Sequence, residues 1–544
     1  MKILAVIPAR GGSKRIPRKN VRLMCSKPLI MYSLENAKAL KEEYDTDVVV
    51  STDDEELRLI VRENCDEVIM RSEELCRDEV TLDPVIYDAV SRMEEKRGQK
   101  YDIIITMQAT SPTLKSETLK QALKFFIDGG YDTVISAVNK PHLSWTKDGE
   151  GNIVKNYEER INSQKLPPNF LETGGFVLSR RPVVSENSRI GENVTIYEVS
   201  GQEAVDIDTD EDWIVAEAIL KRKKILFRIV GKAPLGTGHI YRTLTLAHTL
   251  IGNDFLFVTD SGSNIGIEKL KASFFPYRVV RDDGEFEEVL KEYRPDIIIN
   301  DLLDTEKDFV RMERKYAGRI VNFEDEGEGA LYADVVINAL YERHEHKLSN
   351  VYEGSDYYFI RDEFLDTPRK EFSEKCENIV ILFGGSDPSN LTMRLYEICQ
   401  VLHKKMPHTQ FHFITGIGYA HKDKVGDMPE CNIFVHHDVK RVSDYMRRAD
   451  LAVTSQGRTI YELASMGVPA IVLAQNEREA EHVFAGIQNG FINLGLGKTT
   501  DAITIIKTIQ WLAETPNVRR EMRNIELARE FTKGRQRVTD LILG

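Results

Sequence analysis

This sequence has no C-x-x-C pair. Its six cysteines (Cys25, Cys65, Cys76, Cys376, Cys399 and Cys431) are scattered along the chain. That argues against a zinc site or a disulfide framework, and for a reducing compartment. No apolar run is long enough to cross a bilayer. The apolar stretch near the start carries one lysine and is broken by Pro8, unlike a signal peptide, so a cytoplasmic protein with no membrane partner is expected. Positive charge is not in excess: 73 lysines and arginines face 87 aspartates and glutamates, a net charge of −14. Non-specific nucleic-acid binding is therefore not expected. At 544 residues the chain is too long for one core, and two to four domains are expected.

Against that acidic background one stretch is strongly basic. Ile7-Pro-Ala-Arg-Gly-Gly-Ser-Lys-Arg-Ile-Pro-Arg-Lys-Asn20 follows a short apolar run, Ile3 to Ile7, that reads as a buried strand. Its glycines and prolines mark a loop. Glycines free backbone N–H groups to wrap an anion, and Arg10, Lys14, Arg15, Arg18 and Lys19 neutralise it. The loop is neither a Walker A sequence nor G-x-G-x-x-G. It suits a triphosphate.

Apolar runs alternate with helical patterns as far as Ala137, which predicts βαβ units and a mostly parallel sheet. Helices are expected over Leu29–Ala39 and from about Glu55, and strands at Asp47–Ser51 and Ile103–Met107. Ligands of open α/β sheets lie beyond the carboxyl ends of the strands. The basic loop, Ser51-Thr52-Asp53, Gln108–Pro112 and Val205–Asp210 should therefore converge. Alternation puts Asp206, Asp208 and Asp210 on one face of an extended segment, where carboxylates at i and i+2 can share a hard cation such as Mg²⁺. Asp210, with Glu211 and Asp212, can equally serve the start of a helix near Trp213.

PARGGSKRIPRKN, with KPLI and STDDEE, resembles the cytidylyltransferases that make CMP-activated nonulosonic acids: sialic, legionaminic and pseudaminic. The resemblance spans roughly residues 1–222. It implies CTP and a nonulosonic acid as ligands, Arg10 on the triphosphate with Ser13 and Lys14 beside it, and Lys19 and Asn20 on the α-phosphate and cytosine nucleotide. It implies further nucleotide contacts from Arg71 and Gln108, Mg²⁺ on Asp206 and Asp208, and a homodimer through this N-terminal domain, in which Pro141–Phe170, a long segment poor in regular periodicity, is the stretch expected to reach a partner. In the sugar pocket, Ser163 and Leu171 stand where sialic acid enzymes carry two arginines. Lys165 and Arg160 can supply charge from nearby, and the identity of the sugar stays open.

Lys221–Lys224 is a basic hinge, and α/β alternation restarts at Ile225–Val230. Gly236-Thr-Gly238-His239 then leads into a helical run, a strand–turn–helix arrangement suited to an anion. Strands are expected at Ile297–Ile299, Ile320–Asn322, Val335–Ile337, Ile379–Phe383 and from Leu451. A polar linker around Asp366–Glu371 gives two lobes facing a cleft, 223–367 and 368–544. The loop around Gly457 offers a second helix N-terminus, near Thr459, to a diphosphate.

GTGHIYR, IRDEF (Ile360–Phe364), FGGSDPSN and the helix bearing Glu462 resemble the nucleotide-sugar hydrolases of pseudaminic acid biosynthesis, relatives of GT-B glycosyltransferases. This implies a GT-B-like pair of Rossmann-like lobes after a nucleotidyltransferase domain. It also implies a UDP-sugar ligand, His239 as general base, Asn476 as an active-site contact, Glu462 at the ribose, and Gly236, Gly238 and Gly457 lining the site. An aromatic residue of that family is replaced by Leu302 and Leu303. A glycosyltransferase or a non-catalytic nucleotide-sugar module is the alternative for this half.

Overall fold

The computed structural model describes residues 1–77, 79–231, 238–342 and 349–544. It divides into two units, Met1–Arg222 and Lys223–Gly544.

In the first unit β1 (Lys2–Pro8) is buried along Ile3–Ile7, the pattern of a strand covered on both faces. Parallel neighbours flank it: β2 (Asp45–Thr52) on one side and β4 (Ile103–Thr106) on the other. β3 is Glu67–Met70, β5 Thr133–Asn139, β6 Phe170–Arg180 and β7 Val194–Glu198. The sheet order is β7-β5-β6-β4-β1-β2-β3. Only β6 runs antiparallel to its neighbours. Helices α1 (Leu29–Ala39), α2 (Glu55–Val61), α3 (Leu82–Arg97) and α4 (Ser116–Gly129) connect the strands, and α5 (Asp210–Leu220) ends the unit. Apolar clusters lie on both faces of the sheet.

β6 shifts register between Glu172 and Val177. At that bulge a Cβ on Gly174 would lie 2.9 Å from Ser111 Oγ and 3.1 Å from Asp206 Oδ1. Glycine is thus what lets the loop after β4 and the segment before α5 close on the same point.

The second unit holds two parallel sheets. The first lobe contains β8 (Lys224–Ile229), β9 (Asp254–Asp260), β10 (Tyr277–Val280), β11 (Ile297–Asp301), β12 (Arg319–Phe323), β13 (Val335–Asn338) and β14 (Val351–Glu353), in the order β10-β9-β8-β11-β12-β13-β14. The second contains β15 (Asn378–Leu382), β16 (Gln410–Thr415), β17 (Ile433–His437), β18 (Leu451–Thr454), β19 (Ala470–Ala474) and β20 (Phe491–Leu496), in the order β17-β16-β15-β18-β19-β20. Counted within each lobe, both begin 3-2-1-4, the doubly wound arrangement with its crevice at the strand-order switch. Helix α6 (Gly238–Thr249) serves the first lobe and α7 (Thr459–Met466) the second.

The lobes do not part at 367/368. Ala339–Tyr341, Tyr358, Ile360 and Phe364 pack into the core of the second lobe, where Tyr358 stacks on Tyr461 at 3.9 Å. The last helix, α8 (Thr532–Leu543), returns to the first lobe and buries Val538 and Ile542 there. A polar stretch in the sequence suggested a linker. The stretch is instead pinned to the second lobe by Lys370 on Asp450 and Arg369 on the Ser465 carbonyl.

Candidate active sites

In the first unit four loops meet beyond the carboxyl ends of β1, β2 and β4. The Gly11 N–H donates to Asp53 Oδ1 at 2.8 Å, tying the basic loop to the end of β2. Asn20, buried, donates to the Arg10 carbonyl at 2.9 Å and so closes the basic loop on itself. Lys19 Nζ donates to the Ile207 carbonyl at 2.5 Å and lies 3.5 Å from Asp208, while Arg15 lies 3.2 Å from the same carboxylate. The Ile207 N–H in turn donates to the Thr110 carbonyl at 2.9 Å. Ile207 is fully buried and acts as the peg that turns Asp206 and Asp208 to one side.

Burial pushes the Asp206 carboxyl up, and the neighbouring Asp208 charge adds to the rise. A hard cation shared by the two carboxylates would offset both effects, so this donor set fits Mg²⁺, with water and phosphate oxygens left to complete the shell. No group of three or more potential metal-binding side chains occurs among the described residues. Asp210 opens α5, whose capping box is made by Thr209 and Asp212. Arg71 donates to Ser51 Oγ and the Ser51 carbonyl, and burial lowers its pKa. Gln108 is half-buried, its backbone held by the Gly174 carbonyl and Ser33 Oγ. Ser13 and Lys14 sit on the outer part of the basic loop. Ser163 and Lys165 form an exposed turn, and Leu171 is 46% exposed on β6.

The second unit has a cleft of about 710 Å³, lined from both lobes. Gly238, His239, Gly457, Glu462 and Asn476 all line it; Gly236 lies outside the described residues. His239 is buried on the first turn of α6. Its Nδ1 is hydrogen-bonded to Asp301, the last residue of β11. Asp301 also accepts from Arg242 at 2.7 and 2.6 Å, and Arg242 reaches Glu324 at 2.8 Å. Burial alone would raise the Asp301 carboxyl, but Arg242 and His239 outweigh it and hold the group well below the usual carboxylate range. A charged Asp301 keeps the proton on Nδ1 and leaves the Nε2 lone pair free. Burial lowers the His239 pKa, with Arg458 and Arg242 adding to it and Asp301 opposing. The imidazole is therefore neutral near pH 7, the form a general base requires.

Glu462 is buried in α7 and takes Arg361 at 3.0 and 2.8 Å. Asn476 caps the short helix Glu477–Ala480 through its side-chain oxygen. Glu479, beside Gly457, has its carboxyl pushed up to about 7 by burial. Of the two leucines in the aromatic position, Leu303 lines the cleft with φ at 81°. That is a left-handed backbone uncommon for a leucine. Sequence reading missed Asp301, Arg242 and Arg361. The one available signal was the Asn300-Asp301 pair ending an apolar strand at the carboxyl edge of the sheet.

A cytidylyltransferase family profile matches residues 4–154. CMP-N,N'-diacetyllegionaminic acid synthase of Legionella pneumophila is 30% identical over 228 residues, covering 41% of this chain and 97% of that protein. An uncharacterized protein of Methanocaldococcus jannaschii is 30% identical over 280 residues, covering 47% of this chain and 57% of its own. The chain thus spans little more than half the length of that relative. Among solved structures, MurG of Acinetobacter baumannii is 16% identical with a TM-score of 0.43, covering 59% of this chain and 99% of that one. No helix among the described residues is long and apolar enough to cross a membrane.

Proposed function

This chain belongs to the cytidylyltransferase family, and from that premise we propose that its first unit transfers CMP from CTP to a nonulosonic acid and releases pyrophosphate. The observation that carries the reading is the meeting of Lys19 with Asp206-Ile207-Asp208 beneath the basic loop. The anomeric oxygen of the sugar attacks the α-phosphorus, and the bond to the β-phosphate breaks. Arg10 and Lys19 hold the charge that develops on the phosphoryl oxygens. Arg71 and Gln108 line the nucleotide, and Ser13, Lys14 and Asn20 shape the loop around it. Asp206 and Asp208 would hold Mg²⁺, which when bound supplies charge stabilisation to the phosphates.

The second unit, in the same proposal, hydrolyses a UDP-linked diacetamido-trideoxyhexose. His239 takes a proton from water, the oxygen bonds to the anomeric carbon, and UDP leaves. Support comes from the His239–Asp301 pair inside a cleft that spans both lobes. Asn476 orients the water or sugar, and Glu462 faces the ribose.

The first unit is also proposed to pair with a second copy. The hairpin Trp145–Lys147/Ile153–Lys155 exposes Trp145 and Ile153, with Phe170 and Leu171 on β6 also exposed. Light scattering should give twice the chain mass, and a monomer at micromolar concentration would overturn the pairing.

The deciding experiment supplies CTP, Mg²⁺ and a panel of sialic, legionaminic and pseudaminic acids to the whole chain and follows pyrophosphate. One acid should react, and Asp208→Ala or EDTA should stop it. Silence across the panel would defeat the reading. In parallel, UDP release from the UDP-sugar with water as the only acceptor separates hydrolysis from glycosyl transfer.

A further inference from the structure

Four arginines line the cleft of the second unit: Arg242, Arg361, Arg458 and Arg478. Three are matched by carboxylates. Arg242 has Asp301 and Glu324, Arg361 has Glu462 and Glu363, and Arg478 has Asp304. Arg458 is different. No ion pair and no hydrogen bond of its guanidinium occurs among the described residues; Asp301 and Glu324 act on it through their charge alone.

Its position is as informative as its lack of a partner. Arg458 immediately precedes α7, in the second lobe, and that helix begins without a side-chain cap. The side chain crosses to the first lobe, where a Cβ on Gly238 would stand only 2.1 Å from Arg458 Nη1. The guanidinium therefore lies against the first turn of α6, next to His239. The N-terminus of a helix presents unpaired N–H groups and partial positive charge. Arg242, one turn along α6, adds to this field; burial and then Arg242 together push the Arg458 pKa down. Asp301 and Glu324 oppose this field, but both carboxylates are in contact with Arg242, so a guanidinium with no direct partner between two helix N-termini is placed to receive an anion. A diphosphate is that anion: it carries two charges, fits a forked donor, and suits exposed helix N–H groups.

We propose that Arg458 grips the diphosphate of the bound nucleotide sugar and bridges it to the N-terminus of α6, beside His239. The proposal rests on the nucleotide-sugar reading of this cleft and adds to it the cation that takes the leaving group. It also explains Gly238, since any side chain there would displace the guanidinium.

The test compares UDP with uridine, which lacks the phosphates, on the whole chain by calorimetry and NMR titration. Arg458→Met should weaken UDP by about 10- to 100-fold, the worth of a charge-assisted contact, and leave uridine binding unchanged. Arg458→Lys should recover part of the loss, and Gly238→Ala should weaken UDP while sparing uridine. Unchanged UDP affinity in Arg458→Met overturns the proposal. So does an equal loss for uridine, because the residue would then be shaping the cleft rather than holding phosphate. Wild-type protein and Arg458→Met are also titrated with CDP, GDP, TDP and inorganic pyrophosphate. If wild type prefers another nucleoside diphosphate and the variant loses it, Arg458 keeps its role and the uridine assignment falls. If wild type binds none of these anions, both fall.

Discussion

The first unit's site takes most of its cations from one continuous, largely exposed loop, whereas the second unit's cleft is built from buried charges drawn from distant segments. In the first, Arg15, 70% exposed, rests on Asp208, 59% exposed, beside the more deeply set Lys19. Ion pairs so exposed are weak and readily exchanged for a triphosphate. In the second, His239, Asp301, Arg242 and Glu324 are buried together and pair with one another, although Glu324 Oε2 has no hydrogen-bond partner. There the geometry is fixed before any ligand arrives, and removing one member strands the rest. One site is expected to be assembled by its substrate, the other to be already in place.

The sharpest way to break this contrast is to cross the two activities. Lys19→Ala should cripple pyrophosphate release and spare UDP release. His239→Asn should do the reverse, lowering UDP release by about 10²–10⁴-fold. Both are read in coupled assays on the same preparation, and damage to both activities by either variant would show that the sites are not independent.

Stability should follow the same divide. Asp301→Ala leaves Arg242 and His239 buried without their carboxylate, and urea unfolding of the second unit should show a loss of about 3–5 kcal/mol. Asp208→Ala in the exposed site should cost less than about 1 kcal/mol.

The pH profiles should differ as well. His239 is faced by Asp301, Arg242 and Arg458, and burial holds its pKa below the ordinary imidazole value of about 6.5. UDP release should therefore hold steady from pH 8 down past 6.5 and fall only below that, as the imidazole takes its proton. A profile that falls above pH 7 would contradict a lowered His239.

Glu313 sharpens the comparison through stability alone. It is buried beneath β11, accepts from Asn300 at 2.8 Å, and burial raises its pKa from 4.5 to about 8. As pH rises past 4.5 the unfolded chain gives up this proton and the folded chain keeps it. Its contribution therefore declines from pH 4.5 up to about 8. Glu313→Gln keeps the acceptor without the charge, and should add on the order of 4 kcal/mol at pH 8 and little at pH 4. Thermal melts at the two pH values would show it.

The smallest effect is expected at the mouth of the cleft. There Arg478 holds Asp304 with bonds of 2.8 and 2.9 Å between the lobes. Both partners are substantially exposed, so Arg478→Ala should change stability by only about 0.2–1 kcal/mol. Salt titration of the melting temperature would test that figure.

The contrast also governs what could be read from sequence. The basic loop is legible because its cations, glycines and prolines are contiguous and out of keeping with an acidic chain. β1, α1, β11 and β18 are legible because buried strands and amphipathic helices carry their own periodicity. The convergence of Gln108–Pro112 with Val205–Asp210 follows from the rule about strand ends, although the bulge at Gly174 that permits it does not. In the cleft, Gly238-His239 and Gly457 announce themselves as turns before helices. Asp301, Arg242, Arg361 and Arg458 lie 62, 3, 122 and 219 residues from His239, counting along the numbering. No local pattern marks which arginine will meet which carboxylate. The same applies to the lobe boundary. Polarity at Asp366–Glu371 signals exposure, but the stacking of Tyr358 on Tyr461 decides which lobe holds the segment.

The return of α8 to the first lobe bears on how the protein is made. A nascent chain leaves the ribosome in order, so β8 to β14 emerge long before the helix that brings Val538 and Ile542 to them. At roughly 5–20 residues per second, the stretch from Glu353 to Thr532 takes roughly 10–35 s to synthesise. Throughout that interval the apolar surface around α6 and β13 waits uncovered. The first lobe is begun first and finished last, and its vulnerable period during translation is set by the length of the lobe inserted within it.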